Sequence, residues 1–223
     1  MIDKNKLLEA GWERTLRNVV VLIGRLALAY LFFANIWWKL PPTFSCSTDF
    51  VFRGTAANGD LDDKGEGLCK WIGIESHYAN KDRTLLQADL IYAGGPNLGV
   101  NIKPLAMLNG AFLDNVVKPN IRWFGYIIFY SEAAIAVLMF LGLFSRLGGL
   151  IGLGISSQLM IGLANIPYPF EWEWGYNLMV VLSLLMIGLA PGRFLGLDVI
   201  IRRILAGPAH RGSKLARLVL AFT

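Results

Sequence analysis

Four apolar stretches, each close to the length of a membrane span, decide most of what this chain can fold into. They run from Val19 to Trp38, Trp123 to Phe144, Leu147 to Ile166 and, more briefly, Tyr176 to Ala190. A helix needs about 20 mostly apolar residues to cross the hydrocarbon core. Only 17% of the residues are charged, against about a quarter in soluble domains. The expected fold is an all-α integral membrane protein. It is a four-transmembrane-helix bundle with a long external segment between helices 1 and 2 and an interfacial C-terminal tail. The expected boundaries are an N-terminal segment over 1–18, spans over 19–39, 122–144, 147–166 and 172–191, an external segment over 40–121 and an amphipathic basic tail over 192–223.

The first run is too long for a signal h-region, and no small-residue cleavage site follows it, so it reads as a span. Trp37, Trp38 and Lys39 then form an interfacial anchor. Basic residues cluster before the first span (Lys4, Lys6, Arg14, Arg17), between spans two and three (Arg146) and after the fourth (Arg193, Arg202, Arg203, Arg211, Lys214, Arg217). The turn between spans three and four holds Glu171 and Glu173 and no Lys or Arg. The positive-inside rule therefore places both termini in the cytoplasm, in a multi-pass protein of the inner (plasma) membrane. The net charge of +5 belongs to this pattern, so nucleic acid is not an expected partner. Membrane lipid is. Leu197 to Leu205 and Lys214 to Phe222 mix apolar and basic residues on either side of Gly207-Pro208, as interfacial helices attracted to anionic lipid do.

The external segment, about 80 residues, exceeds an ordinary connection and is either functional or partly folded. Its first half is turn-rich, at Pro41-Pro42, Asn58-Gly59-Asp60 and Gly65-Glu66-Gly67. Leu105 to Val117 reads as a short helix against the membrane surface, ended by Pro119. Asp60, Asp62, Asp63 and Glu66 fail the calcium-loop pattern because Lys64 takes a ligand position. Cys46 and Cys69 both fall here. An oxidising compartment allows a disulfide, and two free thiols or a redox pair stay open, although the spacing is not CxxC.

Ionisable residues inside spans are costly and are functional candidates by default. Arg25 and Glu132 are the two. Measured from Lys39 and Arg122, they lie roughly 21 Å and 15 Å deep at 1.5 Å per residue. The remaining offset is one that a long arginine side chain closes. Gln158 of span three is expected at a similar depth. The pair is either a register-fixing ion pair or a polar pocket where Glu132 relays protons and Arg25 holds it ionised. Quinone reduction needs such a group, since protons are taken up with the electrons. Gln158, Lys39 and Arg146 are the further candidates for quinone binding. No span contains His or Cys, so neither haem ligation nor a metal site is expected in the bundle. Electrons would come from a partner protein. On the third span Gly148, Gly152 and Ser156 share one face, which suits close helix packing.

Three stretches resemble the DoxX/DoxD family of membrane proteins. They are Arg25-Leu-Ala-Leu-Ala-Tyr with Trp38-Lys39, the run from Glu132 through Leu141-Gly-Leu-Phe-Ser-Arg146-Leu, and Pro191-Gly-Arg-Phe-Leu-Gly-Leu-Asp198. The long external segment is more like DoxD, the small membrane subunit of thiosulfate:quinone oxidoreductase. The resemblance implies a four-helix membrane fold, a quinone as substrate and other protein subunits as partners. The leading expectation is a membrane subunit of a quinone-linked oxidoreductase system. The alternative is a non-catalytic docking subunit of a larger respiratory or photosynthetic complex. A small transporter is a third class, without the internal repeat that alternating access would lead one to look for.

Overall fold

A computed structural model describes residues 11–46, 67–89, 97–164, 166 and 173–223. The Asp60–Glu66 stretch, the turn at 58–60, the residues Lys4 and Lys6 and the connection holding Glu171 and Trp172 lie outside the described residues. The helices are α1 (Gly11–Asn35), α2 (Gly67–Tyr78), α3 (Lys103–Phe112), α4 (Ile121–Leu141), α5 (Ser145–Leu163), α6 (Glu173–Leu189), α7 (Asp198–His210) and α8 (Lys214–Ala221). Between α2 and α3, β1 (Thr84–Asp89) pairs antiparallel with β2 (Asn97–Asn101), Thr84 opposite Asn101, with an irregularity between Leu85 and Ala88. This small sheet departs from the all-α expectation. Thr84-Leu-Leu-Gln-Ala-Asp lacks the period-2 alternation that marks a strand.

Three helical runs are long and apolar enough to cross a membrane: Gly11–Lys39, Lys103–Leu141 and Ser145–Leu163. Gly175–Leu189 is a shorter apolar helix. The second run is continuous where the sequence predicted a separate helix ended by Pro119. Over 39 residues it is about 58 Å long, nearly twice the hydrocarbon thickness. A π-helical turn at Leu113–Val117 and a 3-10 turn at Lys118–Asn120 absorb the proline. Asn115 donates to the Ala111 carbonyl at 2.8 Å and Asn120 to that of Val116 at 2.9 Å, supplying side-chain donors along the distorted stretch.

The chain divides into two compact units. The first comprises residues up to Ala34, Glu132–Leu153 and Met179–Thr223. Here α1 buries Arg25, Leu28, Ala29 and Phe32, the 3–4 spacing of one helix face. Gly152 lies where a Cβ would meet Ser183, Phe32 and Ile135, and Gly148 abuts Met139. The small residues of α5 therefore serve close packing within the chain itself. The tail does not divide at Gly207-Pro208. Pro208 lies inside α7, and the chain turns at Gly212, whose φ of 95° suits glycine. Ser213 then caps α8, accepting from the Ala216 amide at 3.3 Å.

The second unit comprises Asn35–Ser131 and Gly154–Leu178. Phe44, Leu68, Ile72, Leu113 and Val117 form one apolar cluster, and Ile74, Leu163 and Ile166 another. A disulfide joins Cys46 to Cys69 and fixes the start of α2. Maleimide labelling of the purified, unfolded chain is expected to modify neither thiol until a reductant is added. Labelling without reductant would show the bond to be absent.

Candidate functional site

The two stretches LGLFSR (141–146) and PGRFLGLD (191–198) clasp each other. The Leu197 amide donates to the Leu141 carbonyl at 3.1 Å and the Asp198 amide to that of Gly142 at 3.0 Å. The Asp198 carboxylate accepts from the Phe144 amide (2.6 Å), the Ser145 amide (3.0 Å) and the Ser145 hydroxyl (2.7 Å). It thereby caps the first turn of α5, where a negative charge is favoured. Gly192 leaves no room for a Cβ beside the Asp198 carboxylate. Arg25 reaches the same turn, donating to the carbonyls of Leu195 (3.0 Å), Pro191 (3.4 Å) and Phe194 (3.5 Å).

This corrects the expected pairing of Arg25 with Glu132. Arg25 lies against Gly142, and Glu132 is ten residues back along α4, about 15 Å along the axis. Depth counted from Arg122 does not hold, because the second run is already helical from Lys103 and Arg122 marks no boundary of it. Glu132 is buried in its own right. Arg146 sits at the tail, its backbone amide donating to the Phe222 carbonyl and its guanidinium to that of Ala221.

A second polar cluster forms in the other unit, around a residue that the sequence reading passed over. On α2, Leu68, Ile72 and Glu75 recur at helical spacing and all are buried, so Glu75 occupies an apolar face. Asn109 of α3 donates to Glu75 Oε2 at 3.1 Å, and Gln158 of α5 to the same oxygen at 2.6 Å. Gln158 also donates to Asn109 Oδ1 at 3.3 Å. Both donors meet the same carboxylate oxygen. Two glycines make the approach close. A Cβ at Gly162 would overlap the Glu75 carboxylate, and one at Gly110 would overlap Ala79.

Arg83 completes the cluster and is 1% exposed. It donates to the carbonyls of Tyr78 (3.0 Å), Ala164 (2.7 Å) and Gly162 (3.1 Å), the last two at the C-terminal end of α5, where cations are favoured. Burial pushes the Glu75 carboxyl up to about 7, against the opposing pull of Asn109, Gln158 and Arg83. Desolvation of the charged form outweighs the donors. The carboxyl therefore changes protonation near neutral pH, as a proton-transferring group must.

Aromatic rings pack on the apolar cluster of the same unit. Trp71, Tyr78 and Tyr176 pack on the Ile74–Leu163–Ile166 cluster, with Trp71 one turn before Glu75. Trp38 meets Trp71 at 6.1 Å between ring centroids, and the Lys39 ammonium lies 4.5 Å from the Trp38 ring. Of the residues singled out in the sequence, Gln158 joins the Glu75 hydrogen bonds and Lys39 this aromatic group. Arg25, Glu132 and Arg146 belong to the other unit.

No curated protein and no solved structure matches the chain. A family model described as the TQO small subunit DoxD matches residues 92–220. The match takes in Asn109, Glu132, Arg146, Gln158 and Asp198, while Arg25, Lys39, Glu75 and Arg83 precede it. It covers more than half of the sequence, and this membrane chain belongs to the DoxD family.

Proposed function

We propose that this chain is the membrane subunit of a quinone-linked oxidoreductase of the thiosulfate:quinone type, and that Glu75 hands protons to the quinone. The buried Glu75 carboxyl, held by Asn109 and Gln158, carries the reading. The balance of the reaction explains why such a group is needed. Joining two thiosulfates through a new S–S bond releases two electrons and no protons. Reducing a quinone to a quinol consumes two electrons and two protons. The protons must therefore come from water by way of protein groups. A carboxyl protonated near pH 7 gives one up when the reduced oxygen demands it and is refilled from solvent.

The neighbouring side chains suit the same substrate. The rings of Trp71, Tyr78 and Tyr176 offer faces for a flat quinone, and the amides of Asn109 and Gln158 hold the carboxyl in place. Glu132, buried in α4, is proposed as a membrane-embedded proton carrier and Arg25 as the group that fixes the turn after α6. The arginine distribution favours cytoplasmic termini, and in that orientation the Glu75 segment would face an external sulfur anion.

The partner complex, purified with and without this chain, tests the reading. Thiosulfate-dependent reduction of a water-soluble quinone analogue is expected only when the chain is present. Full turnover without it would favour the docking-subunit reading, which the commitment of Arg25 to backbone carbonyls also fits.

A further inference from the structure

α7 and α8, with Arg193 before them, line an open cleft of about 660 Å³ whose charged side chains are Arg193, Arg202, Arg203 and Arg217, with His210 beside them. The fold holds these groups together against their repulsion. Arg193 donates to the Thr223 oxygen from two nitrogens, at 3.1 and 2.8 Å. Arg202 donates to the Leu220 carbonyl (3.4 Å) and the Thr223 hydroxyl (3.3 Å), and Arg217 to the Ala209 carbonyl (3.1 Å). A guanidinium has five N–H donors, so each keeps donors for a ligand. Arg203 and His210 make no protein hydrogen bond among the described residues. Burial, then Arg202 and Arg146, hold Arg193 below its ordinary range against the opposing pull of Asp198, as expected where positive charges crowd.

The flanks of the cleft are apolar and exposed. Ile200 and Ile204 lie one turn apart on α7, and Leu215 and Leu218 three residues apart on α8. Helices of this kind rest at the boundary between headgroups and acyl chains. A basic cleft at that depth meets phosphate, and the arginine fork matches phosphate oxygens in pairs.

We propose that the α7–α8 cleft binds the phosphate headgroup of an anionic glycerophospholipid, one lipid per chain. The general attraction of a basic tail to an anionic surface is thereby replaced by a discrete site. This site is independent of the quinone reading, and its test needs no turnover.

The full chain in detergent is titrated with phosphatidylglycerol, phosphatidylcholine or inorganic phosphate, followed by native mass spectrometry and by the thermal midpoint. One phosphatidylglycerol per chain is expected to bind and raise the midpoint, with no such rise for phosphatidylcholine. Arg203→Gln leaves every hydrogen bond described above intact and is expected to weaken binding about fivefold; Arg203→Gln with Arg217→Gln should weaken it about 30-fold. Arg122→Gln removes the same charge from α4 and should change nothing. Undiminished binding in the double variant would overturn the cleft as the site. Equal weakening by Arg122→Gln would show diffuse attraction instead. Inorganic phosphate that displaces the lipid and raises the midpoint equally would reassign the site to the free ion.

Discussion

Replacing Glu75 by glutamine is expected to slow quinone reduction about 100-fold while raising the thermal stability of the isolated chain at pH 8. The two effects have one cause. Burial holds the carboxyl at about 7 against an ordinary 4.5, so the folded chain binds a proton that the unfolded chain releases. Below the unfolded value both states carry the proton and the full contribution is present. As pH rises through the folded value that contribution is lost, and the difference approaches about 3 kcal/mol. Glutamine mimics the protonated form in shape and never ionises, so the decline between pH 5 and 8 should disappear from its melting curve. In turnover, the wild-type rate should fall as pH rises through about 7, because the proton donor empties. Gln158→Leu removes a hydrogen bond that lowers the Glu75 value, and should move that falling limb to higher pH. A Glu75→Gln complex with wild-type turnover and an unchanged pH profile would end the proton-donor role. A stability profile still declining above pH 5 would assign the pH dependence to another group.

Much of the architecture was legible because lipid imposes a length rule on apolar runs. The rule located α1, α4, α5 and α6 but not their ends. α1 is already helical at Gly11, ahead of the apolar run, because a helix continues where backbone bonds and packing allow, whatever the hydropathy. The same weakness displaced Arg25: its depth was inferred from apolar boundaries, whereas its neighbours are set by the turn after α6. Glu75 was missed for a different reason. In the external segment the turns, the cysteines and the stretch at 60–66 draw the eye, whereas Glu75 lies on α2, a helix of 12 residues that turn signals do not mark. The signal was present in Leu68, Ile72 and Glu75, which share one face at helical spacing. The arginine cleft was half legible. Its charges were counted, but their convergence depends on the reversal at Gly212 between α7 and α8, a matter of backbone conformation. The glycine-rich stretches were recognised as family features before their task was visible. In the structure each is the other's partner, which explains glycine at 142, 192 and 196, where a Cβ would strike backbone or carboxylate.

Asp198→Ala is expected to cost about 3–5 kcal/mol of stability, since it strips a fully buried site of its only carboxylate among the described neighbours. Asp198 is 0% exposed, so water does not replace what is removed. The Phe144 amide, the Ser145 amide and the Ser145 hydroxyl each lose an acceptor, and an unsatisfied buried donor costs about 1–3 kcal/mol. The first turn of α5 also loses a favourable charge, and Arg25 loses its attraction to Asp198. At about 2–4 °C per kcal/mol for a chain of this size, the midpoint should drop by roughly 10 °C. Size-exclusion chromatography of the detergent-solubilised protein after heating would read that shift. Asp198→Asn separates shape from charge. It keeps one accepting oxygen but turns an NH₂ toward donors, so it should fall between wild type and Asp198→Ala. Arg25→Met tests the other half of the clasp. If both polar residues brace the same turn, the double variant with Asp198→Ala should lose less than the two single losses combined, because each single change already loosens what the other holds. Fully additive losses would mean that Arg25 and Asp198 stabilise separate elements, and an Asp198→Ala midpoint equal to wild type would remove the carboxylate from the account of this fold.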